Sequence, residues 1–386
     1  MKTTNLNLLN FSLLSLYGAV LQVTAADPLS TWNSRTSPYG STNSWEGVVF
    51  AEGKFVAVGS KGLVAISSDG TDWFPFSANS TKNFYSVAFG GSTFVGTGTS
   101  GLVATSSDGM TWQIQDPGSS AHLYHVSYNN GQFMAVSDGG VILSSPTGVT
   151  WTPHNTESTN KWRASAYGNG AYVVVGYRSG DSFSYTRSAA SSTLSDWDVR
   201  DTGELFYLTG LTFGAGKFLA CGYAGTLQSS VDGVNWSAAI RPGNAWLNFA
   251  AYANNTFVAV GESGLIQSSP DALTWTNRHQ QSFTTLNAVA FGNNTWVAVG
   301  NSSLILQSDP VSGSSSSDRP VLTEATRVGS VFSFKFTGVS NQVYEIQGST
   351  DLTNWTTISN ITCTATPTPC SIEGQTMSKR FYRLAK

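Results

Sequence analysis

Apolar and small residues alternate in short runs along most of the chain between residues 45 and 308, and the runs recur in a fixed order. Alternation with β-branched and aromatic residues is typical of half-buried β-strands. Three such runs and a tryptophan-containing run, separated by turns rich in Gly, Asn and Asp, make up VVFAEGKFVAVGSKGLVAISSDGTDW at 48–73. Counterparts lie at 87–112, 126–151, 211–236 and 250–275. Each copy therefore predicts four short antiparallel strands.

The second run of every copy contains one aromatic residue at the same position, its marker, so the number of these residues gives the number of repeats. The markers are spaced by 39 residues, except for a spacing of 46 between the fourth and the fifth, and they are Phe55, Phe94, Phe133, Tyr172, Phe218, Phe257 and Trp296. Four-stranded units of about 40 residues indicate a β-propeller. The sequence predicts an all-β, seven-bladed β-propeller whose fourth blade carries extra residues, expected to form a raised loop at 179–187.

The two ends of the repeat region complement each other. The seventh copy stops after LILQSDP at 304–310 and lacks its tryptophan run, whereas an isolated run of this kind, STWNSR at 30–35, precedes the first copy. Pairing the two segments leaves no unpaired sheet edge. We expect the N-terminal strand to complete the last blade and close the ring.

The stretch SSDGTDW at 67–73 has the hydroxyls and carboxylates of an active site, but it is repeated. Its counterparts are SSDGMTW, SSPTGVTW, SSVDGVNW and SSPDALTW, always between the third and fourth runs. A catalytic group is needed once, whereas a turn is needed in every blade. Asp followed by Gly is typical turn chemistry, and the tryptophan suits packing between blades.

These turns resemble the Asp-box, or BNR, repeats of sialidases, xyloglucanases and photosystem II assembly-factor propellers, although most copies lack one residue between Asp and Gly. The resemblance implies the propeller fold and no particular activity. The Arg-Ile-Pro motif that sialidases carry early in the first blade is absent, so the resemblance does not extend to sialidase chemistry.

Three further segments flank the propeller, which is predicted to span 27–310. Residues 1–25 combine Lys2, an apolar stretch and a small residue at Ala25, the pattern of a secretory signal peptide. A Ser-rich linker is predicted at 311–320. Residues 321–386 contain YEIQGSTDLTNWT and RFYRL and resemble the immunoglobulin- or fibronectin-like β-sandwich modules at the C-termini of many secreted bacterial propeller proteins. That resemblance implies attachment to a cell surface or to a protein partner.

Export to an oxidising compartment decides how the cysteines and sequons are interpreted. Cys363 and Cys370 bracket a short loop and are predicted to form a disulfide. Cys221 occupies a strand position that is Val in other repeats, so it is predicted to be buried and unreactive. In a eukaryotic host, N-x-Ser/Thr sequons would accept glycans at Asn79, Asn235, Asn254, Asn293, Asn301, Asn354 and Asn360.

The charge balance excludes some partners. A formal net charge of −3 with 11% charged residues gives no basic surface for nucleic acid or an anionic membrane. No run after the signal peptide has the roughly 18 apolar residues of a membrane span. We expect a secreted protein that neither binds nucleic acid nor inserts into a membrane.

Positions that differ between repeats on the ligand-binding face are the candidates for a site, because the shared positions serve the scaffold. Nine residues before the markers stand Glu46, Tyr85, Tyr124, Arg163, Thr209, Asn248 and Asn287. Five residues after the markers stand Ser60, Thr99, Asp138, Tyr177, Tyr223, Glu262 and Asn301. The predicted ligand-binding ring is Glu46, Tyr85, Tyr124, His125, Arg163, Tyr177, Arg178, Tyr223, Asn248 and Asn287.

A ring of tyrosines, amides and two arginines suits a glycan or polysaccharide, because aromatic faces take sugar C–H faces and polar groups select hydroxyls. Carbohydrate recognition is therefore the first hypothesis. A glycoside hydrolase or lyase is the second, with Glu46, Asp138 and Glu262 as candidate catalytic carboxylates, and it needs two carboxyls roughly 5 to 9.5 Å apart. A lyase would use Tyr124 or His125 as its base. A protein–protein scaffold is the third, because the fold alone does not fix the function.

Neither a metal nor an organic cofactor is predicted. The four histidines, His122, His125, His154 and His279, lack the spacing of metal ligands. GTGTSG at 96–101 matches a dinucleotide-binding pattern, but it lies between two predicted strands and no helix follows it.

Overall fold

The computed structural model describes residues 27–385, apart from 157, 180–183, 205–206, 281–282, 312–320, 329–330, 338–342, 350–355, 363–367 and 374–380. The predicted signal peptide, nearly all of the predicted linker and Cys363 lie outside the described residues. Within the part of the chain that is described, no helix is long and apolar enough to cross a bilayer.

Seven antiparallel sheets follow one another along residues 32–308, and each is one blade. An N-terminal strand, β1, spans Trp32–Ser34. Blades one to three contain β2 Trp45–Ala51, β3 Lys54–Gly59, β4 Leu63–Ser67, β5 Phe74–Ser77, β6 Phe84–Gly90, β7 Thr93–Gly98, β8 Val103–Ser106, β9 Gln113–Gln115, β10 Leu123–Asn129, β11 Gln132–Ser137, β12 Val141–Ser145 and β13 Thr152–Asn155. Blades four to seven contain β14 Lys161–Gly168, β15 Ala171–Ser179, β16 Ser184–Ser191, β17 Asp198–Asp201, β18 Leu208–Gly214, β19 Lys217–Gly222, β20 Leu227–Ser230, β21 Leu247–Ala253, β22 Thr256–Gly261, β23 Ile266–Ser269, β24 Thr276–His279, β25 Leu286–Gly292, β26 Thr295–Gly300 and β27 Ile305–Ser308.

The blades form a closed ring, as the repeats predict. The innermost strand of each blade contacts that of the next, and β25 of the last blade contacts β2 of the first. The N-terminal strand completes the seventh blade in the order β1-β27-β26-β25, with Trp32 opposite Ser308 and Ser34 opposite Leu306. The seven-bladed fold and its closure by the N-terminal strand are both confirmed.

The repeated Ser-Asp-Gly turn is a structural element. In blade one, the Ser67 hydroxyl accepts a hydrogen bond from the Gly70 amide at 2.8 Å, and the Asp69 carboxylate accepts from the Thr71 and Asp72 amides at 2.8 and 3.2 Å. The indole of Trp73 donates to the Gly70 carbonyl at 2.9 Å. Trp73 is buried in a core cluster that also contains strands of blade seven. The turn therefore positions an aromatic side chain between neighbouring blades.

Two blades depart from the four-stranded expectation. Blade five has three strands, and its outer segment makes one isolated bridge, Leu227 with Ile240. The Ser237 amide donates to the Ser229 carbonyl, and the backbones of Ile240 and Leu227 bond to each other. Between these two contacts the outer segment advances by three residues and β20 by two, so one additional residue interrupts the ladder of hydrogen bonds. In blade four the extra residues lengthen the β15–β16 hairpin, whose pairing extends to Ser179 and Ser184. The expected loop at 179–187 is thus largely strand in its described part.

Six strands follow the propeller in two three-stranded sheets. One has the order β28-β29-β32, and the other has the order β31-β30-β33. Their bounds are β28 Val321–Val328, β29 Val331–Thr337, β30 Val343–Ser349, β31 Thr356–Thr362, β32 Thr368–Glu373 and β33 Phe381–Ala385. The domain boundaries and the β-sandwich assignment stay predictions. Cys370 lies in β32, and its predicted disulfide partner is outside the described residues.

Candidate functional site

A β-bulge interrupts the innermost strand of every blade at the same place. In blade one, Trp45 pairs with Gly59 and Gly47 pairs with the adjacent Val58, which leaves Glu46 as the extra residue. A bulge redirects the side chain of the extra residue. The seven extra residues are the seven that stand nine positions before the markers: Glu46, Tyr85, Tyr124, Arg163, Thr209, Asn248 and Asn287.

Small neighbours make the bulge sterically possible. A Cβ on Gly59 would lie 2.0 Å from the Ser44 carbonyl oxygen, so this position in β3 has to be glycine. A Cβ on Gly47 would lie 3.1 Å from the Ser86 Cα of the next blade, where the inner strands converge. The local pattern of an apolar, a polar and a small residue thus produces one inward-directed polar side chain per blade.

All seven bulge residues line one central cavity of about 300 Å³. The residue that follows the bulge is small in most blades, but it is His125 in blade three and Phe249 in blade six. Their ring centroids are 5.8 Å apart, and both line the same cavity. Because blades three and six are three positions apart in the ring, this contact spans the central channel. The two rings therefore narrow the channel, and we refer to the cavity as the funnel. Phe249 was not predicted, although it is large where the repeat is usually small.

One wall of the funnel is a stack of aromatic and cationic groups. The rings of Tyr85 and Tyr124 are stacked at 5.5 Å with a 9° interplanar angle. The guanidinium of Arg163 lies 3.7 Å from the centroid of the Tyr124 ring. It also donates to the Asp138 carboxylate at 2.8 Å and to the Tyr177 hydroxyl at 3.1 Å. The charge and the donors of Arg163 are thus largely engaged by other groups of the protein.

Aromatic residues extend this wall along the funnel mouth. Tyr177 packs on Tyr207 at 4.2 Å, and Tyr223 packs on Trp246 at 4.6 Å, both edge to face. Tyr207 and Trp246 are not among the predicted site residues. They occupy the same repeat position, eleven residues before the marker, and they are a phenol and an indole where other blades have Ser44, Asn83, His122, Lys161 or Thr285.

The opposite wall is built from one hydroxyl, several amides and one carboxylate. Three bulge side chains in succession donate to a backbone carbonyl of the next blade: Thr209 to Leu247 at 2.7 Å, Asn248 to Leu286 at 2.9 Å and Asn287 to Trp45 at 2.9 Å. Asn287 also donates to the Glu46 carboxylate at 3.0 Å and to Asn301 at 2.9 Å.

Burial shifts the pKa values of two groups in the cavity in opposite directions. Desolvation raises the pKa of Glu46 from 4.5 to about 7. Desolvation lowers the pKa of His125 to about 4, and its Nδ1 accepts a hydrogen bond from the Ser165 amide at 3.3 Å. His125 is therefore neutral at pH 7, whereas Glu46 is poised between its two forms.

The candidate catalytic carboxylates do not converge in this cavity. Asp138 is paired with Arg163 and accepts from the Tyr124 hydroxyl at 3.2 Å. Glu262 accepts from the Trp246 amide at 3.4 Å. Among the described residues that line the cavity, Glu46 is the one carboxylate. The cavity lining itself thus lacks the carboxyl pair that glycoside hydrolysis uses.

The remaining predicted residues lie elsewhere. Tyr177 and Tyr223 are at the mouth rather than in the cavity lining. Arg178 lines a separate groove with Arg187 and Val199, so the two predicted arginines are not brought together. Cys221 is buried as predicted, and burial raises the pKa of its thiol to about 12. Within the described ranges, no three His, Cys, Asp or Glu side chains are grouped so that they could hold a metal ion.

No protein-family model matches the chain, and no curated protein matches it. Solved structures share the fold. YCF48 bound to D1 peptide is 19% identical with a TM-score of 0.58, and the match covers 72% of this chain and 94% of that one. The WD40 propeller domain of Doa1 is 12% identical with a TM-score of 0.59, covering 72% and 97%. Virginiamycin B lyase from Staphylococcus aureus, with quinupristin, is 10% identical with a TM-score of 0.62, covering 73% and 99%. At these identities the likeness shows the β-propeller fold alone.

Proposed function

We propose that this chain is a recognition propeller that binds a segment of a partner protein in its funnel. One observation carries the proposal. The seven bulge residues are of five types, with Tyr in blades two and three and Asn in blades six and seven, while the surrounding scaffold repeats, and all seven line one cavity. Closing the ring of blades does not by itself require different residues at these positions. Blade-specific polar and aromatic groups in a common cavity are what selective binding requires.

Two further features favour a protein segment as the ligand. The aromatic rings at the mouth meet edge to face, so they present faces and edges at several angles, which suits an irregular peptide surface. A propeller of the same fold has been solved with a peptide bound, and another similar one is a WD40 domain.

A glycan is the second candidate. The parallel stack of Tyr85 on Tyr124 brings aromatic surface to the cavity, and the amides of Asn248 and Asn287 lie across from it. Aromatic surface flanked by amides also suits a sugar ring.

Panning a random peptide library against the wild type tests the proposal. Enriched peptides are then titrated against the wild type, Tyr85→Ala and the matched control Tyr185→Ala, whose ring is exposed and does not line the funnel. We expect Tyr85→Ala to weaken binding at least tenfold, a loss of about 1.4 kcal/mol, and Tyr185→Ala to leave it unchanged. Peptides that bind Tyr85→Ala as tightly as the wild type would contradict a funnel site.

A glycan panel run on the same three proteins separates the candidates. Retention of a glycan by the wild type and the control, but not by Tyr85→Ala, in the absence of peptide binding would replace the first candidate with the second. New reducing or unsaturated ends would indicate a hydrolase or a lyase instead.

We also propose that the protein is exported and that residues 321–386 attach the propeller to a surface or to a partner. The proposal is supported by the N-terminal sequence pattern and by the strands that follow the linker. N-terminal sequencing of protein from the culture medium should begin at Ala26. Retention of residues 1–25 in the mature protein would contradict export by this signal.

A further inference from the structure

Among the described residues, Glu46 has no cationic partner. It lies half-buried in the funnel wall, and none of the ion pairs among the described residues includes it. Its carboxylate accepts a hydrogen bond from the side-chain amide of Asn287 at 3.0 Å. The same amide also faces the Trp45 carbonyl and Asn301, each at 2.9 Å. An amide NH₂ has two hydrogens for these three acceptors, so Glu46 is incompletely hydrogen-bonded.

A second acceptor faces the funnel from blade six. The side-chain nitrogen of Asn248 donates to the Leu286 carbonyl at 2.9 Å and approaches the Asn287 oxygen at 3.4 Å. Within the described part of the chain nothing donates to the Asn248 side-chain oxygen, which can therefore accept from a ligand. Asn248, Glu46 and the Tyr85 ring all line the same cavity, in blades six, one and two.

The other charged and titratable groups around the cavity do not compensate Glu46. Arg163 is paired with Asp138 at 2.8 Å, so its charge is neutralised within its own wall. His125 has its pKa lowered to about 4 by burial and is neutral at pH 7. Burial raises the pKa of both Tyr85 and Tyr124, so both phenols stay neutral. Asn287 and Asn301, the other polar groups at Glu46, carry no charge.

We propose that Glu46, Asn248 and Tyr85 form a binding site for a primary ammonium group, supplied by a lysine side chain or an N-terminal amine of the bound segment. This inference rests on the proposed function and names the chemistry that the funnel selects. A primary ammonium has three donors and no acceptor, which matches a lining with unfilled acceptors. An aromatic ring in the same lining adds a favourable cation–π contact. A carboxylate held in a poorly solvated wall gains more from a cationic partner than an exposed one does.

The test uses Nα-acetyl-lysine amide as the probe and Nα-acetyl-norleucine amide as its uncharged counterpart. Each is titrated by calorimetry against the wild type, Glu46→Gln and Glu262→Gln at pH 6 and pH 8. Glu262→Gln is the matched control, because its carboxylate is at the mouth but outside the cavity lining.

The lysine amide should bind the wild type at least tenfold more tightly than the norleucine amide does. Its affinity should rise about tenfold from pH 6 to pH 8, as Glu46 ionises through a pKa of about 7. Glu46→Gln should abolish both the preference for lysine and the rise with pH, and Glu262→Gln should keep both. Thermal unfolding of each variant controls for loss of structure.

Equal binding of the two amides, or a rise with pH that persists in Glu46→Gln, would overturn the inference. So would equal binding of Nα-acetyl-arginine amide, which would show a general cation site. The inference and the proposed function fail separately. Panned peptides that need Tyr85 but contain no essential amine would refute the ammonium site and keep the recognition function. Lysine-amide binding without any peptide ligand would keep the site and refute the peptide.

Discussion

The inner bulge occurs in all seven blades and the outer turn in the first six, yet the two sequences behave in opposite ways. The Ser-Asp-Gly turn has nearly the same residues in blades one, two and five, because its side chains hydrogen-bond to its own backbone. The bulge residue differs in most blades, because the bulge needs small or apolar neighbours but sets no requirement on the inward side chain. Repetition within one chain thus separates positions constrained by folding from positions free to acquire function.

The exceptions in the turn follow the same logic. Where the turn has Gly, the preceding blade presents a Val, such as Val173 against Gly233. Blade six has Ala272 with φ 63°, in the same core cluster as Leu219. Blade four has Leu194 with φ 70°, in the same cluster as Met134. A Val of the preceding blade, branched at Cβ, leaves no space for a side chain at this turn position, whereas Leu and Met leave some. The size of the turn residue therefore complements the residue that the preceding blade packs against it.

The largest effect is expected from Gly233→Ala. The new Cβ would lie 2.2 Å from a Val173 methyl, and the residue has φ 76°, so both a clash and backbone strain destabilise the fold, by about 3 kcal/mol. Gly216→Ala is the matched control, because its φ is 73° but nothing lies within 4 Å. It should cost about 1 kcal/mol, from strain alone. Urea denaturation measures both.

The double variant Gly233→Ala with Val173→Leu sharpens this comparison, since it copies the pairing of Ala272 with Leu219. It should recover at least about 1 kcal/mol of the loss, a coupling typical of residues in contact. If the double variant loses as much stability as the two single variants combined, the match between turn and neighbouring blade is coincidental.

The second largest effect on stability is expected at the bulge residue Glu46, and it depends on pH. The folded pKa of Glu46 is raised to about 7, above its ordinary value of 4.5, so the fold favours the protonated form. Stability from this group is complete below pH 4.5 and is lost as the pH rises through about 7. The pKa shift corresponds to about 3.4 kcal/mol, which solvent screening of the half-buried side chain reduces to about 2 kcal/mol. Glu46→Gln should therefore stabilise the protein by about 2 kcal/mol at pH 8 and have little effect at pH 4.

Denaturation of the wild type and Glu46→Gln from pH 4 to pH 8 measures this difference. Glu52→Gln, on the exposed turn between β2 and β3, controls for the loss of one negative charge. Parallel stability profiles for the wild type and Glu46→Gln would mean that Glu46 is well solvated in the funnel.

The sequence predicted the fold because the information repeats. Seven copies of the same strand pattern identify the blades, and the isolated Trp32 strand identifies the closure. The same alignment placed Glu46, Arg163 and the other bulge residues around one cavity, because equivalent positions in a ring face a common axis.

What the sequence did not reveal depends on contacts that no repeat encodes. His125 meets Phe249 across the channel, between blades three and six, and nothing local in either blade signals the other. Arg163 was predicted to bind ligand, but its donors are largely taken by Asp138 and Tyr177, which lie fourteen or more residues away. The interrupted fourth strand of blade five depends on one additional residue in its outer segment.

The smallest effect returns to the turn and tests what its carboxylate contributes. Asp232 accepts from the Val234 and Asn235 amides at 2.9 and 2.8 Å. Burial opposes ionisation, but the hydrogen bonds from these amides, from the Asn235 side chain and from the Ser230 hydroxyl hold the pKa of the carboxyl at about 2. Asp232→Ala should cost about 1 kcal/mol at pH 7, as when a helix-capping acceptor is lost. Because the folded pKa is depressed, this stability is present above about pH 4 and is lost as the pH falls towards 2, so the two proteins should converge in acid.

Blade three supplies the reverse experiment, because it has Thr147 where the other turn has Asp232. The Thr147 hydroxyl accepts from the Val149 amide at 3.4 Å, a longer bond than either of those to Asp232. Thr147→Asp should therefore stabilise the protein by about 0.5 kcal/mol at pH 7, and the gain should disappear as the new carboxyl is protonated in acid. A gain that persists at pH 2, or a loss at pH 7, would mean that the carboxylate does not stabilise the turn through the backbone amides. The uniformity of the turns would then need an explanation other than hydrogen bonding.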